Sequence, residues 1–280
     1  MLKTLTAILE AAQKDHYAVI APDFFNLDFA QALLNCGEKN HAPLIISYYE
    51  GGQNPFELNS VEKSIGIVRE LCDAASIPVA LHLDHAFQIE VIQRYLDMGF
   101  TSVMMDASSK SFEENVALTL KTAALAKPYG ASVEAELGHV GGGGEASNVN
   151  VLTDPALAQT FVEQTGVDAL AISIGTQHGF YDHSDGLHLD VLASIRERVS
   201  VPLVLHGASG TAHDQVQKAV EGGICKINLF SELFAAYMQA AAQDIPARED
   251  QVVAYNERRR AALCAKLTTF LKLSSSLGKG

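Results

Sequence analysis

Pro78-Val79-Ala80-Leu81-His82-Leu83-Asp84-His85 begins as an apolar run and ends in an acid and a base. A short, mainly apolar run reads as a strand buried on both faces. The change at Asp84 then puts two ionisable side chains at the C-terminal end of that strand. Working outward, comparable runs at residues 17–21, 43–48, 78–83, 101–106, 131–137, 168–174, 202–206 and 224–228 predict eight strands. Between them lie amphipathic stretches such as 60–75, 112–127, 154–165, 190–199 and 212–221, several opening on an Asp or Ser that can cap a first helical turn. Eight rounds of strand and helix predict a closed (β/α)₈ barrel, the TIM-barrel architecture. The rival is an open doubly wound sheet, which ordinarily carries a Gly-rich fingerprint after its first strand. None follows residues 17–21.

No Pro/Gly/Ser-rich spacer interrupts the alternation, so one domain is expected over residues 1–273. The small, polar stretch 274–280 is expected to fray. A chain of 280 residues with 48% hydrophobic side chains can bury one large core. Its formal charge of −13 argues against a general nucleic-acid or membrane-surface partner, because either needs Lys and Arg clustered on one face. No apolar run approaches the length of a membrane span, and the N-terminal residues lack the pattern of a signal peptide, so a cytoplasmic location is expected. Cys36, Cys72, Cys225 and Cys264 stand singly with no C-x-x-C spacing, and Cys225 lies inside an apolar run. Buried free thiols are expected rather than disulfides.

Barrel enzymes carry their chemistry at the C-terminal ends of the strands. Asp84 and His85 close the third strand, Asp106 the fourth, Glu134 and Glu136 the fifth; His178 follows the sixth, His206 ends the seventh and Asn228 the eighth. So many polar groups at one rim are hard to explain as packing. His85, His178 and His206 together resemble an open zinc site, three neutral imidazoles and a vacant position. Each histidine alone reads as a hydrogen-bonded loop or core residue; their matched positions favour the joint reading. His16, His41, His139, His183, His188 and His213 keep the structural one. His82, two residues before Asp84, shares its side of the strand and suits a supporting role.

The turn Gly207-Ala208-Ser209-Gly210 and the stretch Asn228-Leu229-Phe230-Ser231 follow strands seven and eight, where barrels often hold phosphate on backbone N–H groups and a helix N-terminus. Such a turn alone is a weak signal; its place beside a proposed metal ligand strengthens it.

These motifs carry a resemblance over nearly the whole chain. Leu81-His82-Leu83-Asp84-His85, Val103-Met104-Met105-Asp106-Ala107-Ser108, Val133-Glu134-Ala135-Glu136-Leu137-Gly138, Ile174-Gly175-Thr176-Gln177-His178-Gly179, Val204-Leu205-His206-Gly207-Ala208-Ser209-Gly210 and Lys226-Ile227-Asn228 resemble, in order and spacing, the class II, zinc-dependent ketose-bisphosphate aldolases. The resemblance is nearest to the branch with tagatose-bisphosphate and related aldolases. It implies reversible aldol cleavage of a phosphorylated ketose to dihydroxyacetone phosphate and an aldehyde, through a metal-stabilised enediolate. It further implies His85, His178 and His206 as Zn²⁺ ligands and Asp84 as the acid/base at the C4 hydroxyl. Asp106 and Glu136 would orient ligands or hold the metal in an alternative position. Gly179, Gly207, Ala208, Ser209, Asn228, Leu229, Phe230 and Ser231 would hold the three-carbon phosphate, with a monovalent cation beside it left open. Glu145, in the Gly-rich stretch after strand five, would carry the proton at the carbon next to the carbonyl. Homodimers or homotetramers are common in the family, and the Ala-rich stretches 231–243 and 251–273 could pack between subunits or cap the barrel floor.

This chain departs from the pattern at the far half of the substrate. Ala21-Pro22-Asp23-Phe24-Phe25-Asn26 stands where relatives are Asn-rich, Ala86 replaces a Gly, and Phe87 and Gln88 replace small hydroxyl residues. An added Asp and several aromatics suit an aldehyde with less negative charge, though Phe24, Phe25 and Tyr48 also fit simple rim packing. Three rival classes stay open. A Schiff-base aldolase would use Lys226. A zinc hydrolase would want an H-x-H on strand one, which is missing. A non-catalytic aldolase-like subunit would not need the three histidines and Asp84.

Overall fold

The structure is a computed structural model that describes residues 1–50, 61–142, 150–179, 186–247 and 252–280. Eight parallel strands form a closed ring: β1 (Val19–Pro22), β2 (Leu44–Tyr49), β3 (Val79–Ala86), β4 (Ser102–Met105), β5 (Ser132–Leu137), β6 (Ala169–Ile172), β7 (Leu203–Leu205) and β8 (Ile224–Leu229). Each pairs with the next, and β8 returns to β1 through Lys226 opposite Val19 and Asn228 opposite Ala21. Helices α1 (Leu5–Lys14), α2 (Leu27–Lys39), α3 (Val61–Ala74), α4 (Ile89–Asp97), α5 (Phe112–Ala126), α6 (Pro155–Thr165), α7 (Leu189–Arg196), α8 (His213–Glu221), α9 (Ser231–Ala247) and α10 (Val252–Leu273) complete the described elements. The (β/α)₈ barrel read from the sequence is the observed fold.

The alternation of side chains along each strand divides the interior in two. Ile20, Leu44, Leu81, Val103 and Leu170 face outward and join the helices in one continuous apolar layer. Val19, Ile45, Ala80, Met104, Ala169 and Val204 point into the barrel, where they meet Leu5, Ile8, Leu9 and Ala12 of α1. α1 therefore closes the floor. Thr4 caps its first turn by accepting from the Ala7 N–H, and Thr6 reaches Ser132 at the start of β5, Oγ1 to Oγ 2.7 Å. Burial of side chains such as Leu5 and Leu9 is worth about 1.5–3 kcal/mol each relative to exposure. Elsewhere local chemistry starts the helices: Asn26 caps α2 through the Phe29 N–H, Ser111 and Glu114 form a capping box on α5, and Asp154 caps α6.

Three expectations need correction. The closing stretch does not fray: Ser274 and Ser276 are fully buried, the Ser274 carbonyl accepts from Ala18 N–H, and Gly280 N–H donates to the His41 carbonyl at 2.7 Å. Backbone bonds to neighbouring elements hold what its polar composition suggested would be loose. The terminal helices do not cap the floor, since α1 fills it; α10 lies against α2 and α9 with Leu263, Leu267, Phe270 and Leu271 buried. Finally, Cys36 of α2 and Cys264 of α10 form a disulfide across 228 residues of sequence, while Cys72 and Cys225 are buried free thiols as expected. Two single cysteines on separate helices give no spacing signal, because only the packing of α10 on α2 brings them together.

Candidate metal centre and active site

Above the apolar floor the inward-facing positions turn polar. His82 and Asp84 of β3, Ser102 of β4, Glu134 and Glu136 of β5, and Lys226 and Asn228 of β8 are all buried. His206, just past β7, and Asp106, just past β4, are buried beside them. Strand alternation should send Asp84 and His85 to opposite sides. The register of β3 against β4 shifts between Leu83 and Ala86, and His85 takes a positive φ of 42°. This bulge lets two consecutive residues serve the same cavity, at the expense of a left-handed backbone that β-carbon-bearing residues avoid.

His85, His178 and His206 converge, each offering a nitrogen within 4.8 Å of the others'. The hydrogen bonds assign their free lone pairs. His85 Nδ1 is 2.8 Å from Asp106 Oδ2 and His206 Nε2 is 2.9 Å from Glu134 Oε1, so both carboxylates take an N–H. That leaves His85 Nε2 and His206 Nδ1 facing each other at 2.8 Å. His178 Nε2 is shielded from solvent and has no partner among the described residues, and burial next to His85 and His206 pushes its pKa down to about 3. A neutral imidazole with an orphaned nitrogen and two more with oriented lone pairs make a donor set that fits a divalent cation. Without one, burial alone would neutralise His85, but Asp84, Asp106 and Glu136 outweigh it and raise its pKa well above the usual histidine range.

A second group, His85, Asp106 and Glu136, also places its ligand atoms within metal-binding reach. Glu136 Oε1 accepts from Val140 N–H at 3.0 Å, and its other oxygen has no hydrogen-bond partner among the described residues. Burial and the neighbouring Asp106 charge raise its pKa well above the carboxylate range. His85 is common to both groups.

Asp84 lies beside the three histidines, its Oδ2 3.9 Å from His85 Nε2. Asn228 Nδ2 donates to both Asp84 oxygens at 3.0 and 3.1 Å. Burial would raise the Asp84 pKa; the charge on His85, helped by His82, His206 and Lys226, reverses this and holds it well below the usual range. Asp84 is thus held as an ionised carboxylate.

Beneath these groups runs a network that the sequence reading only partly anticipates. Lys226 is fully buried with Nζ 2.9 Å from both Glu134 oxygens, and it also donates to His82 Nε2 at 3.4 Å. His82 Nδ1 in turn reaches Ser102 Oγ at 2.8 Å. Lys226 is engaged as an ion-pair partner, the alternative to a nucleophile. Its charge and the bond from His206 lower the Glu134 pKa to about 2 against the effect of burial, and ionised Glu134 fixes the tautomer of His206. Glu134 and Lys226 have a sequence signal after all: each lies two residues below a rim residue, Glu136 and Asn228, on the same inward side.

The turns after β7 and β8 sit side by side. Gly207 and Gly210 have positive φ, and a β-carbon on Gly207 would come within 2.4 Å of the Gln177 carbonyl oxygen, so only glycine lets this turn press against the loop that carries His178. Ala208 and Ser209 are buried. Glu232, absent from the sequence reading, accepts from Gly210 N–H at 2.8 Å and donates its own N–H to Ser209 Oγ at 3.4 Å, stitching the two turns together. Leu229 is buried, and the Phe230 ring stacks on Phe234 with centroids 5.5 Å apart, so these two can offer a ligand only backbone. Ser231 opens α9 and is half-buried. Gly179 has φ 88° and follows His178 directly. Glu145 lies outside the described residues. Asn150, another residue the sequence reading passes over, accepts from Gly141 N–H at 2.7 Å and donates to the Thr176 carbonyl at 2.9 Å.

Comparison with known proteins supplies what geometry alone does not. The family model for fructose-bisphosphate aldolase class-II matches residues 3–279. YdjI of Escherichia coli K12 is 38% identical over 274 residues, spanning 96% of this chain and 95% of that protein. The crystal structure of the YdjI aldolase superposes with a TM-score of 0.87, covering 100% of this chain and 99% of the other at 34% identity in that alignment. The fructose-bisphosphate aldolase of Campylobacter jejuni shares the fold, with a TM-score of 0.84 at 22% identity over 100% and 97% of the two chains.

Proposed function

The chain belongs to the class-II fructose-bisphosphate aldolase family and is an aldolase, and from that premise we propose that it reversibly cleaves a phosphorylated ketose between C3 and C4, giving dihydroxyacetone phosphate and an aldehyde, with zinc held by His85, His178 and His206. The observation that carries this reading is the convergence of three imidazoles around one buried point with an ionised carboxylate, Asp84, beside them. Nitrogen donors in that number suit zinc, which when bound would draw electron density from the substrate carbonyl.

The protein's own groups then divide the work. Asp84 accepts the C4 hydroxyl proton as the C3–C4 bond breaks and C4 becomes the aldehyde carbon; in condensation it returns that proton. Asn228, bonded to both Asp84 oxygens, orients the carboxylate, and its Oδ1, without a hydrogen-bond partner among the described residues, can bind substrate. The electron pair left on the three-carbon half is quenched by a proton at C3, for which we assign Glu145. Backbone of Gly179, Gly207, Ala208, Ser209 and the Asn228–Ser231 turn holds the phosphate, drawing on N–H donors and the N-terminus of α9. Asp106 and Glu136 orient His85 or take the metal in an alternative position.

The test is metal-dependent cleavage. Purified protein stripped with a chelator should release no dihydroxyacetone phosphate from ketose phosphates, and stoichiometric zinc should restore release. Full activity in the presence of excess chelator, with no metal in the protein by elemental analysis, would refute the metal-dependent reading.

A further inference from the structure

The described segments that join each strand to the next helix ring the mouth of the barrel, and across residues 23–26, 50, 87–88, 106–111, 138–142, 150–154, 173–179, 186–188, 206–212 and 230 the sequence places a single Lys or Arg, Lys110. Acids are plentiful there by contrast, with Asp23, Glu50, Asp106 and Asp154 among them. Lys110 is exposed and lines a side groove with Ser109, Phe112 and Asp154, on the β4–β5 side.

With the ketose phosphate at β7 and β8 and its C4 hydroxyl at Asp84, the carbons beyond C4 run over β1 and β2. The residues on that side are Asp23, Ser47 and Tyr49. Asp23, one residue past β1, forms a backbone bridge to Ser47, and its Oδ1 is shielded from solvent with no hydrogen-bond partner among the described residues. Tyr49 is in register with Asp84 and its ring lies 6.1 Å from that of His85. Phe24 and Tyr48, rings 5.4 Å apart, pack behind them. The cations nearest this side are already engaged. Arg94 pairs with Glu50 and covers Tyr95. Arg260 pairs with Asp28, and Arg259 stacks over Tyr237 and Tyr255.

A terminal phosphate brings about two negative charges near neutral pH. Here it would lie against the Asp23 and Asp84 carboxyl groups, with no Lys or Arg in the described mouth segments on that side, whereas a hydroxyl would satisfy the lone Asp23 oxygen. We infer that the substrate's aldehyde half is a neutral polyol, so that the preferred ketose carries its phosphate at C1 and none at the far end, with Asp23 as the residue that makes the choice. This rests on the aldolase reading above and departs from the bisphosphate in the family's name.

The experiment reads the far end separately from turnover. Zinc-loaded protein is incubated with dihydroxyacetone phosphate in D₂O, and exchange of its C3 proton is followed by NMR. Absence of exchange would refute the aldolase reading itself. Given exchange, matched competitors are added: fructose 1-phosphate against fructose 1,6-bisphosphate, and tagatose 1-phosphate against tagatose 1,6-bisphosphate. The monophosphate should inhibit more strongly than its bisphosphate in each pair, by about tenfold or more, as expected for like charges brought together. Asp23→Asn should narrow that ratio, while Lys110→Ala, on the other side of the mouth, should leave it unchanged. Equal or stronger inhibition by the bisphosphates would overturn the inference, and a ratio unmoved by Asp23→Asn would remove Asp23 from it.

Discussion

The floor and the mouth of this barrel are built from the same strands and behave as two different materials. At the floor the inward positions are Val19, Ile45, Ala80 and Cys225, closed by the apolar face of α1. Two and four residues past Ala80 stand His82 and Asp84, and one and three past Cys225, across a register shift in β8, stand Lys226 and Asn228, all buried. Burial at the floor lowers the free energy of the fold; burial at the mouth opposes it unless each charge finds a partner. The lesson of the comparison is that stability and chemistry are separated along the barrel axis, with the Lys226–Glu134–His82 layer as the boundary.

Substitutions can break that separation from either end. The largest effect should come from His206→Ala, which removes one of three imidazoles: isothermal titration should show zinc binding lost or nearly so, and steady-state assays should find cleavage abolished, with the thermal midpoint of the metal-free protein little changed. Asp84→Asn should retain zinc but lower kcat by about 10²–10⁴-fold, the usual contribution of a positioned acid/base. Loss of metal in this variant would instead make Asp84 a ligand. Lys226→Met strikes the boundary layer. Leaving Glu134 buried without its cation should destabilise the protein by about 3–5 kcal/mol in urea unfolding, and a less ionised Glu134 should weaken zinc binding by about 10–100-fold. At the floor, Leu9→Ala should cost about 2–5 kcal/mol by the same unfolding measurement while leaving kcat and zinc affinity untouched. A fall in kcat there would show that the two ends are coupled after all.

The smallest effect is the pH dependence of the metal-free protein. His178 has a folded pKa near 3, below the ordinary histidine value, so between that pH and about 6.5 the unfolded chain binds the extra proton. Its contribution therefore makes stability fall as pH drops through that window. His85 runs the opposite way: its raised pKa adds stability that is complete below about 6.5 and lost as pH rises through the folded value. Zinc must displace protons from these imidazoles, so the rise in thermal midpoint on adding zinc should be larger at neutral pH than in mild acid. Differential scanning fluorimetry across a pH series with and without zinc would check the sign.

Most of the fold was legible because its signals are local. All eight strands were readable from runs of apolar residues, and helices such as α5 and α6 from their caps. The rim residues were legible by a simple rule, since the C-terminal end of a buried strand is where polarity has to be explained. The bulge at Asp84 and His85 was not, because period-two alternation separates the pair and only the pairing with β4 shows the shift. Long-range closures were equally silent. Cys36 with Cys264, the seat of Ser274 and Ser276 beside β1, and Glu232 on the Gly210 amide each join stretches whose proximity the tertiary fold alone creates.

The backbone at His85 has an implication for anyone who would make this protein sturdier. A positive φ on a residue with a β-carbon is a standing tension, and His85→Gly would release it. That gain would be outweighed, because the same change leaves the buried Asp106 carboxylate without its His85 N–H and empties both candidate metal groups at once. The strained backbone at His85 is therefore held in place twice over, by the buried acid it partners and by the two metal groups it serves.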